Sequence, residues 1–107
     1  MKQIIIIPSY NSNKSLKILL SKIREIDIDT PILVVDDGSP RAVTSKINGV
    51  NVIRNECNMG KGVSLINGFR YAFVNNYTHA LTMDSDLQHL PEEISSFLEC
   101  DESVDFV

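Results

Sequence analysis

Hydrophobic residues recur along this chain in two alternating rhythms. Ile4 to Ile7 form an unbroken β-branched run, the pattern of a strand buried on both faces. Asn11-Ser12-Asn13 then supplies helix N-cap chemistry, and Leu16, Leu19, Leu20, Ile23 and Ile26 follow at helical spacing. After Pro31, Ile32-Leu33-Val34-Val35 predicts a second buried strand, stopped by Asp36-Asp37-Gly38-Ser39-Pro40. A short helix is expected around Ala42 to Ile47, and a third strand from Val50 to Ile53. Asn58-Met59-Gly60-Lys61-Gly62 introduces a helix whose apolar face reads as Val63, Ile66, Phe69, Phe73 and Tyr77. Ala80 to Met83 predicts a fourth strand, closed by Asp84-Ser85-Asp86. Pro91 suits the first turn of another helix, with Glu92 and Glu93 at its positive end. Val104 to Val107 reads as a fifth strand.

Strands alternating with helices predict an α/β fold, with a mostly parallel sheet and helices on both faces. In such sheets ligands bind beyond the carboxyl ends of the strands, where the strand order switches. The polar clusters of this chain fall at those ends: Pro8-Ser9-Tyr10-Asn11 after strand one, Asp36-Asp37-Gly38-Ser39 after strand two, and Asp84-Ser85-Asp86 after strand four. Three loops distant in sequence are thus expected to converge on one edge.

With 107 residues the chain is read as one domain, spanning 1–107. Its formal net charge of -4 disfavours the broad phosphate-neutralising surface of a nucleic-acid binder and leaves room for a metal site built from carboxylates. No stretch approaches the roughly 20 apolar residues of a membrane helix, and Ile4 to Ile7 is too short for a secretory apolar region. The expected compartment is therefore the cytoplasm. Cys57 and Cys100 match no metal or redox spacing and are expected to be small buried or half-buried thiols.

The acidic turn carries the most specific chemistry. Two carboxylates one residue apart, Asp84 and Asp86, can point at the same cation, and hard oxygen ligands suit Mg²⁺ or Mn²⁺. Gln88 could add a neutral oxygen, and an approach by His89 would favour Mn²⁺. In isolation Asp-Ser-Asp is an ordinary turn; its place after a buried strand, beside two other polar strand ends, favours a site. One of Asp36 and Asp37 can accept hydrogen bonds from a nucleobase edge or a ribose hydroxyl, and Gly38 permits a tight turn. Gly60-Lys61-Gly62 opens a helix, where backbone N–H groups favour anions and Lys61 adds positive charge. The spacing is neither that of a Walker A loop nor that of a dinucleotide fingerprint. Tyr10 could stack on a base or cap the edge of the core. His79 begins a strand and is read as structural, and Phe69, Tyr71 and Phe73 as core and rim.

Together these clusters resemble glycosyltransferase family 2, which has the GT-A fold, and are close in style to dolichyl- and polyprenyl-phosphate sugar synthases. The residues carrying the resemblance are Pro8-Ser9-Tyr10-Asn11, Val35-Asp36-Asp37-Gly38-Ser39, Asn58 with Gly60-Lys61-Gly62, and Asp84-Ser85-Asp86-Leu87-Gln88-His89 followed by Pro91. The resemblance implies a Rossmann-like, nucleotide-sugar-binding half. Pro8, Tyr10, Asn11 and Asp37 would lie on the nucleotide side, with Asp36 near the ribose or supporting the turn. Lys61 would lie near the nucleotide. Asp84 would face the sugar or ribose and share a Mg²⁺ or Mn²⁺ ion with Asp86, its principal ligand, and with Gln88. The implied donor is a UDP- or GDP-sugar, and the implied acceptor a lipid phosphate or a saccharide, placing the chain at the inner face of a membrane.

Members of this family are usually at least twice as long, and their second half supplies the acceptor site and any carboxylate general base. The expectation is therefore a donor half with no catalytic base among its residues. A sheet edge near Val104 to Val107 is a candidate surface for homodimerisation. Two rival readings compete. In one, the chain is a non-catalytic nucleotide-binding fragment or a subunit needing a partner. In the other it is a receiver-type phosphoacceptor domain, which would place its acidic pair after the first strand, where this chain has Pro8-Ser9-Tyr10-Asn11.

Overall fold

A computed structural model describes residues 2–27, 29–44, 47, 49–85 and 104–105. The elements in chain order are β1 (Gln3–Ser9), α1 (Asn13–Ile26), β2 (Ile32–Asp36), β3 (Val50–Arg54), α2 (Lys61–Val74), β4 (His79–Thr82) and β5 (Val104–Asp105). They build one sheet in the order β3-β2-β1-β4-β5. The first four strands of that order run parallel; β5 adds to β4 antiparallel, pairing Ala80 with Val104. The α/β architecture read from the alternation is the one observed.

β1 lies at the centre because its side chains are apolar on both faces. Ile5 and Ile7 point to one side and pack with Leu16, Leu19, Leu20 and Ile23 of α1, together with Ile32 and Val34. Ile4 and Ile6 point to the other, with Leu33, Val35 and Ala72 of α2. One helix therefore covers each face, and Ile4 to Ile7 are at most 2% exposed. Burying each such side chain contributes about 1.5–3 kcal/mol, which makes this four-residue run the largest single block of the core.

The chain runs outward from β1 to β2 to β3, then returns through α2 to place β4 on the other side of β1. That reversal opens a crevice between the carboxyl ends of β1 and β4, where open α/β sheets bind their ligands.

The structure departs from the sequence reading in several places. The buried stripe of α2 is Ser64, Gly68 and Ala72, whereas Ile66 and Phe73 are 56% and 65% exposed. Small residues are required there because the helix lies close on the sheet: a Cβ at Gly68 would come within 2.7 Å of Ile6 Cγ2. Phe69, Tyr71 and Tyr77 pack at the margin of that contact. Ser12 occupies the N-cap of α1 without a side-chain cap bond, its hydroxyl donating to the Tyr10 carbonyl instead. Residues 42–44 form no helix; the Val43 N–H is drawn to Asp36. Cys57 is exposed rather than buried, on a loop outside the core. Cys100 and the helix expected at Pro91 lie outside the described residues.

Candidate functional site

A cleft of about 280 Å³ opens at the crevice between β1 and β4, lined by Pro8, Ser9, Tyr10, Ser12, Asp37, Lys61, Ser64, Asp84 and Ser85. That is at the small end of ligand-site volumes. Pro8, Lys61 and Asp84 also line a second, smaller hollow of about 160 Å³, floored by Leu65, Thr82 and Met83. The ends of β1, β2 and β4 and the start of α2 thus meet at one place, as the positions of the polar clusters required.

The two neighbouring carboxylates after β2 have separate tasks. Asp36 is fully buried. Its Oδ1 accepts from Ser39 N (3.0 Å); its Oδ2 accepts from Val43 N (3.0 Å) and from Arg54 Nη1 (2.5 Å). Arg54 Nη2 also donates to the Ser39 carbonyl at 2.8 Å. Of the two roles open to Asp36, the structure gives it the second: it holds the turn, and it does not line the cleft. Burial alone would raise its pKa, but the hydrogen bonds from Ser39, Val43 and Arg54 outweigh it and hold the carboxyl below the usual aspartate value.

Asp37 faces the cleft and is held from the α2 side. Its Oδ1 accepts from Asn55 Nδ2 and Met59 N, both at 2.8 Å, and its Oδ2 from Gly60 N at 2.9 Å. Burial would push its pKa up as well, and the donors at Met59, Asn55, Gly60 and Ser64 bring it down. The Met59 and Gly60 amides, which a phosphate could otherwise have claimed, are taken by the protein's own carboxylate. Gly38 permits the arrangement. It sits at φ +72°, and a Cβ there would lie 2.5 Å from the Cys57 carbonyl carbon.

Across the cleft, Lys61 Nζ and Asp84 Oδ1 pair at 2.5 Å, with the lysine side chain 61% exposed and the aspartate 23%. Among the described residues, the one cation lining the cleft therefore rests on Asp84. Tyr10 lines the cleft at 45% exposure, its ring available to a flat ligand. Asn11 is exposed and is not among the lining residues; its backbone adopts φ 51°, and its N–H donates to Ser39 Oγ. Asp86, Gln88 and His89 lie outside the described residues, and no group of three or more metal-binding side chains occurs among the described ones.

The sequence reading passed over Ser9, Ser12, Ser64 and Ser85 as lining residues, and Asn55 as the partner of Asp37. A signal for Asn55 existed. Polar residues were collected at the ends of three strands, and Arg54-Asn55 marks the end of β3 in the same way. Ser64 had no such signal, because its place depends on which face of α2 meets the sheet.

The sequence profile of Glycosyl transferase family 2 matches residues 4–102. An undecaprenyl-phosphate mannosyltransferase of Micrococcus luteus is 32% identical over 114 aligned positions, covering 100% of this chain and 47% of its own length. A dolichol-phosphate mannosyltransferase of Pyrococcus furiosus is 36% identical over 107 positions, covering 92% of this chain and 30% of its own. This chain thus spans less than half the length of these relatives. Among solved structures, S. aureus TarS 1-349 superposes with a TM-score of 0.73 at 25% identity, over 95% of this chain and 33% of that one.

Proposed function

The chain belongs to glycosyl transferase family 2, and from that membership we propose that its cleft binds the nucleotide of a UDP- or GDP-sugar and presents the sugar for transfer with the help of Mg²⁺ or Mn²⁺. The observation that carries this reading is the meeting of Pro8, Tyr10, Asp37, Lys61 and Asp84 around one cleft at the switch in strand order.

The residues divide the work by chemistry. Tyr10 and Pro8 offer apolar surface to a nucleobase. Asp37 is kept ionised by its donors and accepts hydrogen bonds from a base edge or from ribose hydroxyls. Lys61 supplies positive charge to a diphosphate. Asp84 fits a divalent cation in type and place, since it is a hard oxygen donor at the rim of the cleft whose Oδ1 is held by an exposed lysine. Asp86 and Gln88, two and four positions on, complete the ligand set in this reading. Such an ion would offset the charge that develops on the departing nucleoside diphosphate. Lys61 must then leave Asp84, and the diphosphate gives it a new partner in the same space.

For the whole protein, the relatives named for undecaprenyl phosphate and dolichol phosphate favour a lipid-phosphate acceptor at the cytoplasmic face of a membrane. Among the described residues no helix is long and apolar enough to cross one. The test is a melting experiment with UDP and GDP, each with and without Mn²⁺. A ligand that binds only the folded state raises the midpoint, by about 2.7 kcal/mol of added stability at a hundred times its Kd. No shift with either diphosphate at millimolar concentration would refute the donor site.

A further inference from the structure

We propose that Asn55 is a positioning residue for nucleotide binding, fixing the Asp37 carboxylate at the cleft and tying it to helix α2; the inference rests on the donor-site reading above. Asn55 follows β3 directly and is 8% exposed. Its N–H donates to the Asp36 carbonyl at 2.8 Å, which sets it beside the β2 turn. Every polar atom of its side chain is engaged. Nδ2 donates to Asp37 Oδ1 (2.8 Å) and to Ser64 Oγ (3.1 Å), while Oδ1 accepts from Asn67 Nδ2 (2.9 Å).

The side chain is not in contact with the cleft; it acts through Asp37. The Met59 and Gly60 amides grip that carboxylate from the loop before α2, and Asn55 grips it from the end of β3. The two amides hold one oxygen each, and Asn55 adds a second donor to Oδ1 from the β3 side, so the carboxylate is tied to the sheet as well as to the loop. Through Ser64 and Asn67 the same carboxamide also holds the first two turns of the helix that carries Lys61. Only a carboxamide of this length offers two donor directions and an acceptor from one planar group. An aspartate would set a carboxylate against a carboxylate, and a glutamine would overreach by one methylene.

Among the described residues, the neighbouring charged groups around the cleft are paired. Lys61 and Asp84 pair with each other across it, and Asp36 is held behind the turn by Arg54. The carboxylate that Asn55 steadies is thus the one fixed negative group in the cleft without a cationic partner of its own among the described residues.

The test measures the affinity of the 107-residue chain for UDP and GDP by calorimetry, with and without Mn²⁺, in the unaltered chain, Asn55→Ala and Asn55→Asp. Asn55→Ala is expected to weaken the diphosphate that binds by about tenfold, the size of one lost hydrogen bond to a charged group, and to leave the Mn²⁺ enhancement factor unchanged. Asn55→Asp is expected to bind worse still at about pH 8 and to recover at about pH 5.5, where a proton shared between the two carboxylates restores a donor towards Asp37. The unaltered chain should lack that recovery. A merely structural asparagine would lower the melting temperature yet leave the affinity of the folded variant intact, and that result overturns the inference alone. So does an Asn55→Asp profile parallel to that of the unaltered chain. Failure of the unaltered chain to bind either diphosphate refutes the donor-site reading, and this inference with it.

Discussion

Gly38→Ala probes the close approach on which the site depends. Two costs arise at this position and both can be worked from the geometry. The backbone sits at φ +72°, where an L-residue is disfavoured by roughly 1–2 kcal/mol. The new methyl would lie 2.5 Å from the Cys57 carbonyl carbon and 2.7 Å from Asn58 N. Both are backbone atoms that no rotamer change can move, so overpacking adds about 1–3 kcal/mol. Loss of chain freedom in the unfolded state returns about 0.4–1 kcal/mol. The net destabilisation is about 1–4.6 kcal/mol, a large share of the roughly 5–15 kcal/mol that holds a domain together. At about 4–8 °C per kcal/mol for a domain near this size, the melting temperature should fall by at least about 4 °C. Gly62→Ala is the matched control. That glycine has no left-handed φ and no heavy atom within 4 Å of the added methyl, so its alanine should be neutral or stabilising by up to about 1 kcal/mol. Paired thermal and urea melts followed by circular dichroism read both. Equal midpoints for the two variants would refute the packing argument, because only the clash and the backbone conformation separate them.

Other outcomes follow from the same geometry. Lys61→Ala should change stability by less than about 1 kcal/mol, since its pair with Asp84 is largely solvated on the lysine side; diphosphate affinity, measured by calorimetry, should nevertheless fall. Asp84→Asn should reduce the Mn²⁺-dependent part of the nucleotide-induced melting shift, and Asp86→Ala should abolish it; a shift intact in both would remove the metal from these residues. Asp36 and Asp37 both have folded pKa values below the ordinary 3.8. The stability they contribute is therefore fully present above about pH 4 and is lost as the pH drops below that value. Urea midpoints measured from pH 7 to pH 3 should be flat at first and then fall. Replacing Arg54 by Met removes a donor to Asp36 and brings its folded pKa nearer the unfolded value, so the acid-induced fall should be smaller in that variant.

Much of the fold was legible because it is written in local periodicity. Ile4 to Ile7 and Ile32 to Val35 are apolar at every position, which only a strand covered on both faces can accept. Leu16, Leu19, Leu20 and Ile23 repeat at the helical period and all four face the sheet. The convergence of Pro8, Asp37 and Asp84 on one edge was equally legible, since strand ends in a parallel sheet share a side. α2 was read less well. Two of its large hydrophobic residues, Ile66 and Phe73, point outward, and its buried stripe is made of Ser64, Gly68 and Ala72. Periodicity weighs hydrophobicity, whereas the sheet selects for closeness, and a glycine scores poorly on the first while satisfying the second.

The sequence alone determined the α/β class, the order of most elements, the edge on which a site must lie, and the family to which those motifs point. Only the tertiary structure decided what each acidic residue does. Asp36 and Asp37 are neighbours with the same side chain, yet one is buried under Arg54 and holds a turn while the other is clamped by Asn55 and faces the cleft. The structure also decided that Lys61 rests on Asp84, 23 positions away, and that the amides before α2 are occupied by Asp37. The physical reason is range. Secondary structure follows from neighbours three or four positions apart, but the charge and hydrogen bonding of a site come from groups brought together across 18 to 28 positions, and only the packed sheet sets those distances.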